Sequence, residues 1–285
     1  MISYRHHIVS LAAVFLALAV GVVLGGGPLS DLGRDDRAAS ATAAPKQAAR
    51  RTADFGDQFA AAAAAKLYAG GLADHQVAVV KMPGAGADTT AALLEQVGAA
   101  GGQVTGTYAA RPALTDPAQK SLVDTLGSQL VTQLGGDFVD SDASTYPRLG
   151  QLLALAATGD GADAQAVRDS LAGAELVDTA KGATPADLVL VVLGDHTDPA
   201  ILAGLVTGLA AKATGVVVAG DTAAGASGGD LAALRANPAA ESAATVDGAE
   251  APLGQVSVTL ALIRSLTTPG GSFGASGSSG AVPLT

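Results

Sequence analysis

Residues 188–195, Leu188-Val189-Leu190-Val191-Val192-Leu193-Gly194-Asp195, decide the fold class. Six apolar residues follow one another with no polar residue between them, so neither face of the segment is suited to water. At this length, and stopped by Gly194, the run reads as a strand buried on both faces. A second run, Val216-Val217-Val218-Ala219, stops in the same way at Gly220-Asp221. Such strands occupy the middle of parallel sheets, whose faces are covered by crossover helices.

Outward from these two runs, further strands are expected at 77–82, 103–108 and 243–246, bounded by turn residues. Helical stretches alternate with them, at 88–100, 116–134, 146–157, 164–172, 199–213, 230–236 and 253–266. This alternation predicts an α/β domain over residues 75–267, Rossmann-like, with a mostly parallel sheet. Aromatic residues make up 3% of the chain, so the core must be built from Val, Leu, Ile and Ala. Residues 268–285, rich in Gly and Ser, read as a disordered tail.

The chain opens differently. Residues 8–26 carry no charge and, as a helix, would span roughly 28 Å, about one bilayer core. The apolar stretch is longer than the usual signal-peptide core, and Gly25-Gly26-Gly27-Pro28 replaces a small-x-small cleavage site. The expectation for residues 1–27 is a cytoplasmic tail and a retained single-pass anchor in the cell membrane, with the main domain outside the cytoplasm. Ala13, Ala17, Gly21 and Gly25 recur every fourth residue, a small-residue face on which anchors could self-associate.

Residues 28–74 read as a polar linker and helical stalk. Pro45 is expected to break the linker, with a helix from 46 to 69 following it. Along that helix Ala48, Thr52, Phe55, Phe59, Ala62 and Lys66 hold a degenerate heptad spacing, the pattern of a short coiled coil.

The net charge of −10, with Lys and Arg scattered thinly, disfavours nucleic acid as a partner. The absence of cysteine excludes disulfides, thiolate metal sites and a cysteine nucleophile. Gly84-Ala85-Gly86 follows the first strand, but Thr89 stands where a dinucleotide fingerprint needs its third glycine. Gly225-Ala226-Ser227-Gly228-Gly229 has the letters of a nucleophile elbow, yet it lies several residues past the nearest strand. Nothing in these motifs demands an enzyme, and no cofactor is evident.

Three strand ends carry an acid: Asp195, Asp221 and Asp247. In a parallel sheet all three reach the carboxyl edge, where ligands bind in open α/β folds. Together with His196 they are the candidate metal ligands, against the plainer reading that each Asp caps a turn or helix.

Two segments carry a family resemblance. The opening, Met1-Ile2-Ser3-Tyr4-Arg5-His6-His7 and the apolar run to Gly25, resembles the N-terminus of the MctB copper-transporter family of actinobacterial envelope proteins. The closing pattern Thr245-Val246-Asp247-Gly248, Gly254-Gln255, Leu260-Ala261-Leu262, Phe273-Gly274 and Val282-Pro283 is similar to that family's. What the resemblance implies is a membrane-anchored envelope protein with a coiled-coil stalk and a role in copper efflux or homeostasis, copper being its cargo. The alternative is a non-enzymatic scaffold that binds another envelope or septal protein during cell separation. Lipid bilayer and self-association are the partners expected on either reading.

Overall fold

In the computed structural model the described residues are 28–134, 138–179 and 182–284, with side chains from residue 46 onward. The chain divides into two compact units, Met1–Gly56 and Asp57–Thr285. Helix α1, Pro28–Tyr68, runs through Pro45 without interruption, so the expected break does not occur. The ring fixes φ at a helical value, and the one hydrogen bond it removes leaves the small, helix-favouring residues on either side to continue the turn. Heptad positions Ala48, Thr52, Phe55, Phe59, Ala62 and Lys66 are all exposed, Phe55 at 70% and Phe59 at 65%. The last turns of α1 instead bury Ala60, Ala64 and Tyr68 within the second unit.

That unit is a seven-stranded sheet in the order β3-β2-β1-β4-β5-β6-β7. Its strands are β1 Gln76–Lys81, β2 Gln103–Ala110, β3 Val177–Thr179, β4 Leu188–Val192, β5 Gly215–Ala219, β6 Ala244–Val246 and β7 Ser272–Phe273. Every neighbouring pair is parallel except β2–β3, which is antiparallel. Strands β4 and β5 are buried at every residue, as their uninterrupted apolar runs require.

Side-chain alternation divides the core in two. Ala78, Val80, Val189, Val191, Val216 and Val218 point to a layer formed with helices α3 (Pro112–Thr115), α4 (Lys120–Leu134), α5 (Thr145–Thr158), α6 (Gly161–Gly173) and α7 (Pro199–Ala210). Val77, Val79, Leu188, Leu190, Val217 and Ala219 point to the opposite layer, with α2 (Ala87–Ala99), α10 (Pro252–Ser265) and the end of α1. Between α5 and α7 the helices touch backbone to backbone. A Cβ on Gly150 would strike the Leu205 carbonyl, and one on Gly208 the Pro147 carbonyl.

Two elements depart from expectation. Strand β3 is three residues long, too short for a period-two pattern to register. The expected disordered tail instead supplies β7, whose Phe273 is 4% exposed. It is held by Arg235, whose guanidinium donates to the Phe273 carbonyl at 2.8 Å, and by Arg264, which donates to the Thr268 and Gly270 carbonyls at 3.0 and 2.7 Å. A tail of small residues contributes little apolar area, so these charged donors to its carbonyls supply the order. The proposed anchor at residues 8–26, with its Ala13, Ala17, Gly21 and Gly25 face, lies outside the described residues. Among the described residues no helix is long and apolar enough to cross a membrane.

Candidate functional site

The chain leaves β1 toward β2 on one side and later returns to β4 on the other, so the strand order reverses between β1 and β4. Loops diverging from such a point leave a crevice at the carboxyl edge. Here it has a volume of about 260 Å³, and its lining includes Gly84, Gly86, Thr89, Gly194, Asp221 and Glu250.

Close packing of the first two loops shapes its floor. Asp195 N–H donates to the Pro83 carbonyl at 2.7 Å, and Ala85 N–H to the Met82 carbonyl at 3.1 Å. Gly84 has φ +74°, and a Cβ there would meet the Asp195 carboxylate, so only glycine serves both demands. Gly194 lies so near the 83–85 backbone that any side chain would strike it.

The four candidate metal ligands are not assembled into one site. Asp221 caps the short helix α8 (Thr222–Gly225), accepting from Ala224 N–H at 2.8 Å. Its neighbour Thr222 is held in turn by Glu250, which accepts from the Thr222 hydroxyl at 2.6 Å. Asp247 is fully buried and paired with Arg235 at 2.7 Å, while its second oxygen accepts from Ser276 N–H at 3.1 Å. Asp247 is thus one half of a buried ion pair, and it does not line the crevice.

Asp195 and His196 follow Gly194 in the chain, are exposed, and do not line the crevice. The exposed His196 ring bonds through Nδ1 to Asp230 Oδ1 at 2.5 Å, and Asp230, 7% exposed, also accepts from Thr197 N–H at 2.9 Å. Asp230 opens helix α9 (Asp230–Arg235) and lies 34 residues from its histidine partner in sequence. Local reading gave no signal for that pairing. Among the described residues no three His, Cys, Asp or Glu side chains converge as a metal-holding group.

The electrostatics of the crevice match its acids. Neither Lys nor Arg lines it, while Asp221 and Glu250 do. Helix α2 begins at its mouth after Gly86 without a side-chain cap, and Thr90 bonds back to the Gly86 carbonyl through both N–H and hydroxyl, at 2.9 and 2.7 Å. A pyrophosphate would meet carboxylates there and gain no cationic partner, so the interrupted G-x-G serves as a strand-to-helix turn. Ser227, in the G-x-S-x-G stretch, lies between α8 and α9 rather than at a strand-to-helix elbow.

A second recess, of about 500 Å³, opens between the N-terminal ends of α5 and α7, lined mainly by apolar atoms with Tyr146, Asp198 and Asn237 at its edge. The Tyr146 hydroxyl is buried and has no hydrogen-bond partner among the described residues, and burial, with Asp198 and Asp116 nearby, raises its pKa.

Comparison with known proteins adds what geometry does not. The family described as "Copper transport outer membrane protein, MctB" matches residues 1–284. The chain belongs to the MctB family. This MctB-family chain is 32% identical over 299 residues to the copper transporter MctB of Mycobacterium tuberculosis (strain ATCC 25618 / H37Rv), covering 92% of each chain. It has the same identity and coverage to the copper transporter MctB of Mycobacterium bovis. A shorter match, 81% identical over 31 residues, covers 11% of this chain and 10% of the copper transporter MctB of Mycobacterium leprae.

Proposed function

We propose that this chain is a copper-related envelope protein, anchored to the cell membrane by residues 8–26 with its α/β unit outside the cytoplasm, and that it takes part in copper efflux or homeostasis. The observation that carries the reading is the whole-chain match to the copper-transport family, supported by two mycobacterial relatives named copper transporters. A lone anchor encloses no path, and an open sheet cannot stand in lipid, so any conduction requires several chains. The exposed Phe55 and Phe59 and the small-residue face Ala13, Ala17, Gly21 and Gly25 support self-association through stalk and anchor. No step here requires catalysis, and we read the chain as a non-enzyme without nucleic-acid partners.

The test is a deletion strain compared with its parent for copper accumulation and tolerance, complemented by the full chain and by a chain lacking residues 1–27. Loss of tolerance restored only by the anchored form supports the reading, and unchanged copper handling refutes it. A second reading, a scaffold for another envelope or septal protein, is favoured by the exposed stalk phenylalanines together with the acid-lined crevice that lacks a catalytic group. It predicts defective septation in the same strain and recovery of a specific envelope partner by the anchored chain.

A further inference from the structure

We infer that the recess between the N-terminal ends of α5 and α7 is a binding site for a small organic cation, an ammonium group carried on an apolar body. The assignment is independent of the copper reading. At about 500 Å³ the recess falls within the size range of small-molecule sites, which are mostly apolar with a few polar groups that fix the head of the ligand. Pro117, Pro147, Ile201 and Ala203 supply apolar wall. Gly204 lets that wall close up: a Cβ there would lie 2.6 Å from Tyr146 Cβ and 3.0 Å from Pro147 Cδ, so the start of α5 packs directly on the backbone of α7.

Tyr146 supplies the first polar group. The residue is 9% exposed and lines the recess, and its hydroxyl has no hydrogen-bond partner among the described residues. A buried hydroxyl left unmet weakens the fold unless something binds it. Burial raises its pKa, and the charges of Asp198 and Asp116 raise it further, so the hydroxyl keeps its proton and stands in a negative field. Asp198 lines the recess and Asp116 directly precedes Pro117 in its wall, so the hydroxyl is turned toward the side from which a ligand enters.

The two acids supply the charge. Asp198 caps α7, its Oδ1 accepting from Ala200 and Ile201 N–H at 2.8 and 3.2 Å, and Asp116 Oδ1 accepts from Ala118 N–H at 2.9 Å. Both residues are exposed, and the second oxygen of each has no hydrogen-bond partner among the described residues. An ammonium carries three donors, and these two oxygens with the Tyr146 hydroxyl are three acceptors bordering one recess. Lys120 also lines it, but one cation faces two acids. An anion would gain Lys120 and the first turn of α5, which has no side-chain cap, yet it would stand against both carboxylates.

The full chain in detergent is titrated with 2-phenylethylammonium chloride, 2-phenylethanol and 3-phenylpropionate, which share an apolar body and differ in the head; detergent alone is the blank. Saturation-transfer nuclear magnetic resonance detects binding, and its concentration dependence gives Kd. The expected result is saturable binding of the ammonium, binding of the alcohol about tenfold weaker through loss of the charge-assisted hydrogen bonds, and no saturable binding of the carboxylate. Ala239→Trp fills the exposed mouth and abolishes binding, and Ala200→Trp does the same from the α7 side. Asp198→Asn keeps a cap for α7 but narrows the preference for ammonium over alcohol at least threefold. Tyr146→Phe weakens ammonium binding while Tm stays level or rises, because the unmet hydroxyl is gone. Thermal unfolding of each variant checks that it folds. The proposal is overturned if ammonium and alcohol bind alike, if the carboxylate binds as tightly as the ammonium, if both folded Trp variants bind as the parent does, or if the signal matches detergent alone.

Discussion

Replacing Asp247 by Ala should unfold the closing segment of the chain first and the α/β unit soon after. The Asp247 side chain is fully buried and that of Arg235 is 13% exposed, with their charged atoms 2.7 Å apart. Removing the carboxylate strands a guanidinium in a largely dry site, a change that costs about 3–5 kcal/mol for buried pairs. Arg235 keeps three neutral acceptors, Thr245 Oγ1 at 3.0 Å, Phe273 O at 2.8 Å and Ser276 Oγ at 2.9 Å, which places the cost near the lower end. For a domain of this size, about 3 kcal/mol corresponds to a fall in Tm of about 6–12 °C. Thermal unfolding followed by far-ultraviolet circular dichroism reads the global loss, and amide exchange over residues 270–280 reads the local one, since Ser276 N–H loses its 3.1 Å acceptor. Replacing both partners with Leu should recover most of the loss, because a well-packed apolar pair avoids the burial of charge altogether. A Tm shift below about 2 °C for Asp247→Ala, with exchange at 270–280 unchanged, would refute the view that this ion pair fastens the tail.

Gly84→Ala should cost about 1–3 kcal/mol from its φ of +74° alone, with a further loss as the Asp195 carboxylate is pushed aside, measured by urea denaturation. Gly150→Val should separate α5 from α7 at the Leu205 carbonyl and destabilise by about 1–3 kcal/mol, while Gly98→Ala, where the added Cβ meets open space, should be neutral or stabilising. Burial raises the pKa of Tyr68 and Tyr108, so each holds its proton more tightly folded than unfolded. Their contribution is complete below about pH 10, the unfolded value, and is lost as pH climbs through the folded values, so stability should fall above pH 10 and less steeply in Tyr108→Phe. Asp140 behaves oppositely. Its hydrogen bonds from Lys212 and Gln151 lower its pKa, so its contribution is present above the ordinary carboxylate range and disappears in acid, a trend that Lys212→Met should weaken while the Gln151 bond keeps part of it.

Much of the fold was legible because its decisive signals are local. The uninterrupted runs at 188–193 and 216–219 can be satisfied only by burial on both faces, and β4 and β5 are buried throughout. Acids placed just after strand ends were equally visible, and a parallel sheet necessarily gathers them at one edge. Their roles were legible only in part: Asp221 caps a helix through Ala224, three residues on, as the plainer reading had it, whereas Asp247 forms an ion pair with Arg235, twelve residues away in sequence and brought to it by folding.

What the sequence by itself determined is therefore the layer architecture, the position of the glycine turns, and a donor inventory without cysteine. The tertiary structure decided which of those donors are free. Asp230 reaches His196 across 34 residues, and Arg235 reaches the Phe273 carbonyl across 38, to order a tail whose composition reads as disordered. Hydrophobic periodicity is a property of neighbours along the chain, while the pairing of a buried charge is a property of neighbours in space, and only folding supplies the second.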